Sequence, residues 1–460
     1  MRPKRASTQR KALLCLLLSV AISITWASVI AATSHSGMGA FKAIFYGVRC
    51  LIRHSDPYNP AILQQVYESE GGRFSPDPAE AFLFRRAMLV CVNLPTSLFL
   101  IAPLAVLPWK IAALVWMVLN IAGFSIAAFL LWMTGRNYAL KPSTLIICFL
   151  LANAELVLAL GNLAGIATGL CMIAAWCFLE ERFVLGGIFC LAVGLALKPH
   201  DAGLVWFYFL LAGGVYRRRA LQTLAVVAAL TLPAILWISY VAPQWPRELR
   251  ANMHALSAHG SVNDPGPDSL TFRSPDYVIS LQSPFSLIRD APGFYNSASY
   301  LTCGLLLLAG AIRVLKSRFT KRNAWIALAA VAPLSMLPVY HRAYDAKLLL
   351  LAVPACALLW REGGRLKWLA GLMTTLAVVS TGDVPATILL GIMNSTQGLD
   401  NISGRLLTAF VFHPAPLVLL ATGVFYLWVY FRCTAQERPV TVDACAPLSA
   451  PMATNIGGSL

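Results

Sequence analysis

The chain has 460 residues, of which 58% are hydrophobic and only 12% are charged, whereas a soluble domain has about 25% charged residues. Its mean hydropathy is +0.68, and its apolar runs reach the roughly 20 residues with which a helix crosses a bilayer. Composition therefore excludes an ordinary soluble protein, and the lack of alternating segments of about ten residues excludes a transmembrane β-barrel.

A net charge of +16 would indicate nucleic-acid binding if the basic residues shared one surface. They lie instead in short clusters between the apolar runs, a pattern that fixes the orientation of membrane proteins. We therefore predict that the clusters are cytoplasmic and expect no nucleic-acid partner. They cover residues 2–5, 217–219, 316–322 and 361–367. The 11 cysteines include no CxxC pair, so neither a disulfide framework nor a metal cluster is indicated.

The first apolar run covers about residues 11–32. It is too long for the apolar region of a typical signal peptide, so we predict a retained first span that places residues 33–85 on the outer side. The next runs cover about 87–108 and 111–133. Four shorter pieces follow before Arg217, and charge parity requires one piece of this region not to cross. We assign that role to 144–160, as a short or re-entrant helix.

The second half of the sequence indicates a span at about 220–242 and a long outer loop at 243–296. Clusters of basic residues then separate further spans. The sequence therefore predicts an all-α fold, a polytopic transmembrane helical bundle of about 11–13 spans. Its predicted division is a single transmembrane domain over 1–435 and a flexible cytoplasmic tail over 436–460. The later spans are expected at about 298–315, 324–340, 346–360 and 406–431.

Ionisable residues near membrane spans are costly and are therefore functional candidates. Asp56 follows the first span between two prolines and can act as a general base near the membrane surface. An Asp-Pro pair is also a common turn, and the local sequence leaves both interpretations open. Lys198, with His200 close behind it, ends an apolar run. It can hold a phosphate or extend its ammonium group from a helix end to the interface.

His341 and Arg342 follow a later span and allow the same two interpretations, phosphate contacts or interfacial anchors. Asp345 can orient His341 or pair with Lys347. Asn162 follows Gly161 at a polar break and can contact a sugar or satisfy freed backbone groups.

The run from Asp264 to Asp268 contains two aspartates in a Pro-Gly turn, which is more typical of a solvated loop than of a metal site.

The motifs that combine these residues resemble glycosyltransferase family 87, which contains polyprenol-phosphate-mannose-dependent mannosyltransferases with a GT-C fold. Asp56-Pro57-Tyr58 is similar to the family's Asp-x-Tyr motif, and Leu197-Lys198-Pro199 to its Lys-Pro motif. The other similar segments are Asn93–Thr96 followed by Ala102–Pro108, Gly161–Leu163 and Tyr340–Tyr344. The resemblance covers about residues 40–360. The chain departs from the family in having a single proline at Pro95, no Gln at 162 and a changed aromatic motif near 340.

The resemblance implies an inverting hexosyltransferase of the inner membrane whose active site faces the periplasm. A hexose, first of all mannose, would pass from a polyprenyl-phosphate donor to a hydroxyl of a lipid or glycan acceptor. Asp56 would be the base, and Lys198, His341 and Arg342 would hold the phosphate. Tyr58, Asn162, His200 and Asp345 complete the expected substrate-binding set. The leaving phosphate needs no protonation, so no metal and no cofactor are expected.

Two other functions remain open at the level of sequence. A transporter or flippase for a lipid-linked or anionic solute would also carry polar residues in its spans, and it predicts paired broken helices in two matching halves. A structural membrane component without chemistry would not explain why Asp56, Lys198 and His341 are all predicted on the outer side. A cleft that opens sideways to lipid would favour the transferase.

Overall fold

The computed structural model describes residues 2–33, 37–395 and 402–436, and most of these form helices joined by loops. The predicted all-α polytopic fold is confirmed. The predicted tail lies outside the described residues from 437 onward. The first third of the chain contains α1 (Arg2–Thr33), α2 (Gly39–Ile52), α3 (Pro60–Ser69), α4 (Pro78–Leu89), α5 (Pro95–Ala105) and α6 (Trp109–Ala152).

The middle third contains shorter helices on either side of one long one. They are α7 (Glu155–Ala159), α8 (Leu163–Leu179), α9 (Val184–Leu197), α10 (Pro199–Leu211), α11 (Gly214–Val241), α12 (Trp245–Leu256) and α13 (Gln282–Ile288).

The last third begins with α14 (Pro292–Lys316) and α15 (Lys321–Ser335), which lead to a 3-10 helix over Ala343–Leu351. An antiparallel bridge joins Arg342, just before that helix, to Val278 in the loop after α12. The remaining helices are α16 (Ala352–Glu362), α17 (Gly364–Ser380), α18 (Asp383–Ser395), α19 (Ile402–Leu407), a π-helical turn at Thr408–Phe412, and α20 (Ala415–Gln436).

Six helical segments of the described ranges are long and apolar enough to cross a bilayer. A seventh is added if α17 and the first part of α18, bent by 63° relative to each other, form one broken span. The shorter apolar helices α5, α8 and α9 add to these. The six segments are Ser7–Thr33, Trp109–Ala159, Gly214–Val241, Pro292–Lys316, Ala343–Glu362 and Ala415–Ala435.

Burial separates the spans that face lipid from those that form the centre of the bundle. Only 11% of the most apolar stretch of Gly214–Val241 is buried, and most of its leucines are exposed, as expected for a lipid-facing helix. In Ala343–Glu362 the buried share is 94%. The central segment is therefore the one that directly follows His341 and Arg342.

The 44-residue α6 is a hairpin of two arms rather than one straight helix. Ala139 has an extended backbone (φ −148°, ψ 97°), and the indole nitrogen of Trp132 donates to the hydroxyl of Thr144 over 3.0 Å. Twelve residues of straight helix would separate these positions by about 18 Å. The chain therefore folds back at Ala139, and 140–152 returns beside 109–138.

The second arm of this hairpin corrects the prediction for 144–160. The first arm starts near Gly161, whose carbonyl accepts from Trp116 over 2.8 Å. It ends near Glu180, which Thr134 contacts over 3.4 Å. Residues 140–152 must return along the bundle, so the expectation that this piece does not cross was wrong.

The piece that stays on one side is instead the predicted span at 87–108. Its helix α5 has 11 residues, or about 16 Å, which is half the thickness of the hydrocarbon core. At its start Ser97 donates to the carbonyl of Leu197. At its end Trp109 stacks on Phe41, which also stacks on Trp116 near Gly161. Hydropathy did not reveal this, because an apolar run has the same hydropathy whether or not it crosses the bilayer.

The two ends of the bundle differ in charge. At one end, which we call the basic end, Lys321 pairs with Glu180 over 2.5 Å and Arg322 pairs with Glu362 over 2.7 Å. Arg219 donates there to the carbonyl of Phe178. The opposite end, at which α8 begins and α9 ends, is called the site end.

A separate apolar cluster packs over the site end. It combines buried side chains of α2, α3, α4 and α5 with those at the start of α6 and the end of α11. Trp116, only 2% exposed, is one of its largest members. This layer holds the loop that carries Asp56 against the transmembrane helices.

Candidate active site

The Asp56 loop is fixed by backbone contacts on both sides. One oxygen of Asp56 accepts from the amide of Tyr58 over 2.8 Å, and the buried Tyr58 hydroxyl donates to the carbonyl of Asn93 over 2.7 Å. On α12, the Asn252 amide donates to the carbonyls of Tyr58 and Cys91 over 2.9 and 3.0 Å. Tyr58, a predicted substrate contact, therefore positions the loop through its hydroxyl.

Glu248 is the partner of Asp56 that the sequence did not reveal. It lies one helical turn before Asn252 on α12, with its carboxyl beside that of Asp56. Proton sharing with Asp56, followed by burial, raises the pKa of Glu248 to about 7. Two carboxyls in such contact share a proton, because both cannot be ionised at low cost. The one available sign in the sequence was that Glu248 lies close to the end of α11.

Lys198 ends α9 and is almost completely buried among acidic partners. Its ammonium group pairs with Asp345 and lies 3.2 Å from Asp201. Thr96 and Ser97, at the start of α5, bond the carbonyls of Ala196 and Leu197 over 2.7 and 2.8 Å.

Asn93, which bonds Tyr58, is three residues before Thr96, a chain distance of at most about 11 Å. The Asp56 loop and Lys198 therefore lie at the same end of the bundle.

Two histidines complete the Lys198 cluster. His341, which is fully buried, directs Nε2 at an Asp201 oxygen 3.4 Å away. His200, partly exposed, has its Nε2 3.7 Å from the same oxygen, and the two rings are 4.9 Å apart. The fold thus unites Lys198, His200, His341 and Asp345 around Asp201, which sequence reasoning did not select.

Asp345 has a different partner from the two that the sequence offered. One of its oxygens binds Lys198, and the other accepts from the backbone amide of Arg342 over 2.8 Å. Lys347 pairs instead with Asp383, at the break between α17 and α18, over 3.3 Å. The Asp345–Lys347 pairing was therefore wrong, because the two side chains lie on different sides of the 3-10 helix.

Arg342 is buried and uses all five of its N–H donors. Nε donates to the Tyr340 hydroxyl over 2.5 Å. One terminal nitrogen donates to the carbonyl and carboxylate of Asp276, and the other to the Val262 carbonyl and the Asn263 side chain. The acceptors at 262, 263 and 276 lie in the one loop between α12 and α13. The geometry leaves Arg342 no donor for a phosphate and makes it the anchor of that loop.

Asn162 and Asp264 both have structural partners. The side-chain oxygen of Asn162 accepts from the amide of Ala164 over 2.9 Å and caps α8. Asp264, 1% exposed, accepts from the amides of Gly260 and Gly266 over 2.7 and 3.0 Å. These contacts match the turn and cap interpretations that the sequence left open.

Comparison with known proteins gives a match to one protein family. The model of glycosyltransferase family 87 matches residues 92–272. No curated protein and no solved structure matches the chain. The matched segment includes Lys198, Asp201 and Glu248, whereas Asp56 and His341 lie outside it. The match supports the predicted family and, with the apolar helices, a membrane glycosyltransferase.

Proposed function

We propose that this protein of glycosyltransferase family 87 transfers a hexose, most simply mannose, from a polyprenyl phosphate to a hydroxyl of a lipid or glycan acceptor. The match over 92–272 supports the class of reaction. The proposed mechanism rests on one observation. The Asp56–Glu248 pair lies at the same end of the bundle as the Lys198 cluster. The proposed face is the periplasmic side of the inner membrane.

The proposed reaction is a single displacement with inversion. The acceptor oxygen attacks the anomeric carbon while the bond from that carbon to the phosphate oxygen breaks. Asp56 takes the proton of the acceptor hydroxyl. The polyprenyl phosphate leaves with one more negative charge, which Lys198 stabilises, with His200 and His341 at the same cluster. Glu248 gains or loses its own proton beside Asp56 and does not touch the reacting atoms.

The test is transfer by purified protein in lipid nanodiscs. A labelled polyprenyl-phosphate mannose and a polyprenyl-phosphate glucose are supplied with a crude acceptor lipid fraction, and the products are identified by mass spectrometry. We expect a mannosylated product with an inverted anomeric centre. If neither donor is consumed, the proposed donor class is refuted.

A flippase remains the second candidate, because α17 and α18 form a broken helix pair with Asp383 at the break, as in many transporters. Asp383 there binds Lys347 and the amide of Leu156, which satisfies the break internally. Donor translocated across proteoliposomes without any glycosylated product would favour this candidate.

The Glu248 pair predicts a pH dependence of turnover. Below about pH 7 the Glu248 carboxyl is protonated and can donate to Asp56, occupying the oxygen that would receive the acceptor proton. Above that pH Glu248 is ionised and leaves this oxygen free. Turnover should therefore rise about ninefold between about pH 6 and pH 8, as the ionised fraction of a group with a pKa near 7 rises from about 10% to 90%.

In Glu248→Gln the side chain keeps its donor and cannot ionise, so this rise should disappear. Glu68→Gln, on the exposed face of α3, is the matched control and should retain it. A profile in Glu248→Gln with the same rise as the parent would remove Glu248 from the mechanism.

The proposed orientation predicts which surfaces an impermeant thiol reagent can reach. Arg73→Cys and Ser257→Cys lie at exposed positions of the two outer loops, and Arg218→Cys is exposed at the basic end. In intact cells the first two should be labelled, and the third only after permeabilisation, with the parent chain as background. Labelling of only one outer-loop position would contradict a site formed by both loops.

A further inference from the structure

Three side chains of the Lys198 cluster present metal-ligand atoms to one point. The Nε2 atoms of His200 and His341 and a carboxylate oxygen of Asp201 all lie within 4.8 Å of one another. The two distances to the Asp201 oxygen, 3.7 and 3.4 Å, are close to the separation of about 3.4 Å between ligands that each lie about 2.1 Å from one tetrahedral zinc ion.

Among the described residues, no hydrogen bond of good geometry reaches the buried ligand atoms, although the Lys198 ammonium lies 3.2 Å from one Asp201 oxygen. Both oxygens of Asp201 and Nε2 of His341 are in this position, and both residues are at least 98% buried. The other ring nitrogen of His341 lies 3.1 Å from the Val339 carbonyl and, as a donor to it, turns the Nε2 lone pair toward Asp201. A backbone carbonyl on the second nitrogen is the usual support of a metal-binding histidine.

Charge also favours a cation at this place. Lys198 contributes one positive charge, and Asp201 and Asp345 contribute two negative charges, so with both histidines neutral the buried group has a formal charge of −1. Arg342 is paired with Asp276 and does not compensate. An uncompensated buried charge is costly. A bound cation would therefore add to the positive charge that Lys198 offers a phosphate.

We propose that His200, Asp201 and His341 bind a divalent transition-metal ion, with Zn²⁺ the best match to two imidazoles and one carboxylate. Such a ligand set is typical of catalytic zinc sites that keep a position open. His200 is 36% exposed in its side chain, so the ion and a further ligand can enter from that side. The sequence showed no sign of this site because His341 is far from the other two ligands along the chain.

The proposed ion would change what the cluster can bind, a consequence that rests on the proposed function. Two added positive charges convert the formal charge from −1 to +1, which suits the single negative charge of a sugar phosphodiester. The ion would polarise a phosphate oxygen as a Lewis acid, and Lys198 would remain beside it. Asp56 and Glu248, at the acceptor, keep the roles given above.

The experiment measures metal binding without any substrate. Protein purified through a tag free of histidine is treated with a chelator, desalted and titrated with Zn²⁺, and bound zinc is counted by mass spectrometry. Co²⁺ serves as a coloured probe of tetrahedral coordination. We expect one ion per chain. His200→Ala, with its side chain partly exposed, and His341→Ala should each weaken binding by at least about 10–100-fold.

The matched control is His259→Ala, since His259 belongs to an exposed group with Asp268 and Asp290. It should keep full zinc affinity. The proposal is overturned if the parent binds no stoichiometric metal, the result expected if His341 holds only a proton. It is also overturned if both histidine variants bind zinc as tightly as the parent does.

Transfer assays then separate the two proposals. Metal-free protein that transfers sugar at the parent rate would refute the ion's phosphate role. Zinc-loaded protein that binds one ion and transfers nothing would refute the proposed function and leave the site intact.

Discussion

Asp56→Asn is expected to leave a folded protein whose turnover falls by about 10²–10⁴-fold, the contribution typical of a general base. Asn keeps the size of Asp and can still accept from the Tyr58 amide, the contact that orients this loop. It cannot take a proton from an acceptor hydroxyl. The loss should therefore appear in kcat, with donor affinity nearly unchanged, in transfer assays on protein of parent-like thermal stability.

Glu68→Gln is the control, because it removes a carboxylate from the same part of the chain. Glu68 is exposed on α3 and binds Gln64. It should retain parent turnover. If well-folded Asp56→Asn transfers sugar at a near-parent rate, Asp56 is not the base. Glu248 then becomes the next candidate, because Asp345 is already held by Lys198 and the Arg342 amide.

Arg342→Met is expected to lower the free energy of unfolding by about 3–5 kcal/mol, the usual result of removing one partner of a buried ion pair. Met occupies much of the same volume but leaves Asp276 and the carbonyl of Val262 without their donors. The loop between α12 and α13, to which they belong, should become sensitive to protease at lower temperature. Thermal unfolding in detergent and limited proteolysis measure both effects.

Arg289→Met is the matched control, since Arg289 is exposed directly after α13 and its loss should leave unfolding nearly unchanged. A direct phosphate contact predicts another pattern for Arg342→Met, namely parent stability with a raised KM for the donor. That pattern would restore the role that the sequence assigned to this residue.

The sequence alone determined the fold class, and it predicted that the candidate residues gather at one end of the bundle. Hydropathy and charge are local properties, so the apolar runs identified helices and the basic clusters identified one end. They predicted that Asp56, Lys198 and His341 share the opposite end, and the contacts through Asn93 and Thr96 are consistent with that grouping. Whether a given apolar run crosses is not local, and it was assigned wrongly for 87–108 and 144–160.

Only the tertiary structure decided which polar groups meet. Ala139 turns α6 into a hairpin, Glu248 reaches Asp56 from α12, and Asp201 gathers Lys198 and two histidines. The contacts of Asp56 with Glu248 and of Asp201 with His341 join residues that are distant in the chain. Their pairing is set by how helices pack and by the cost of leaving a buried charge unpaired. A single sequence lists the ionisable groups near the membrane, but helix packing selects their partners and so their chemistry.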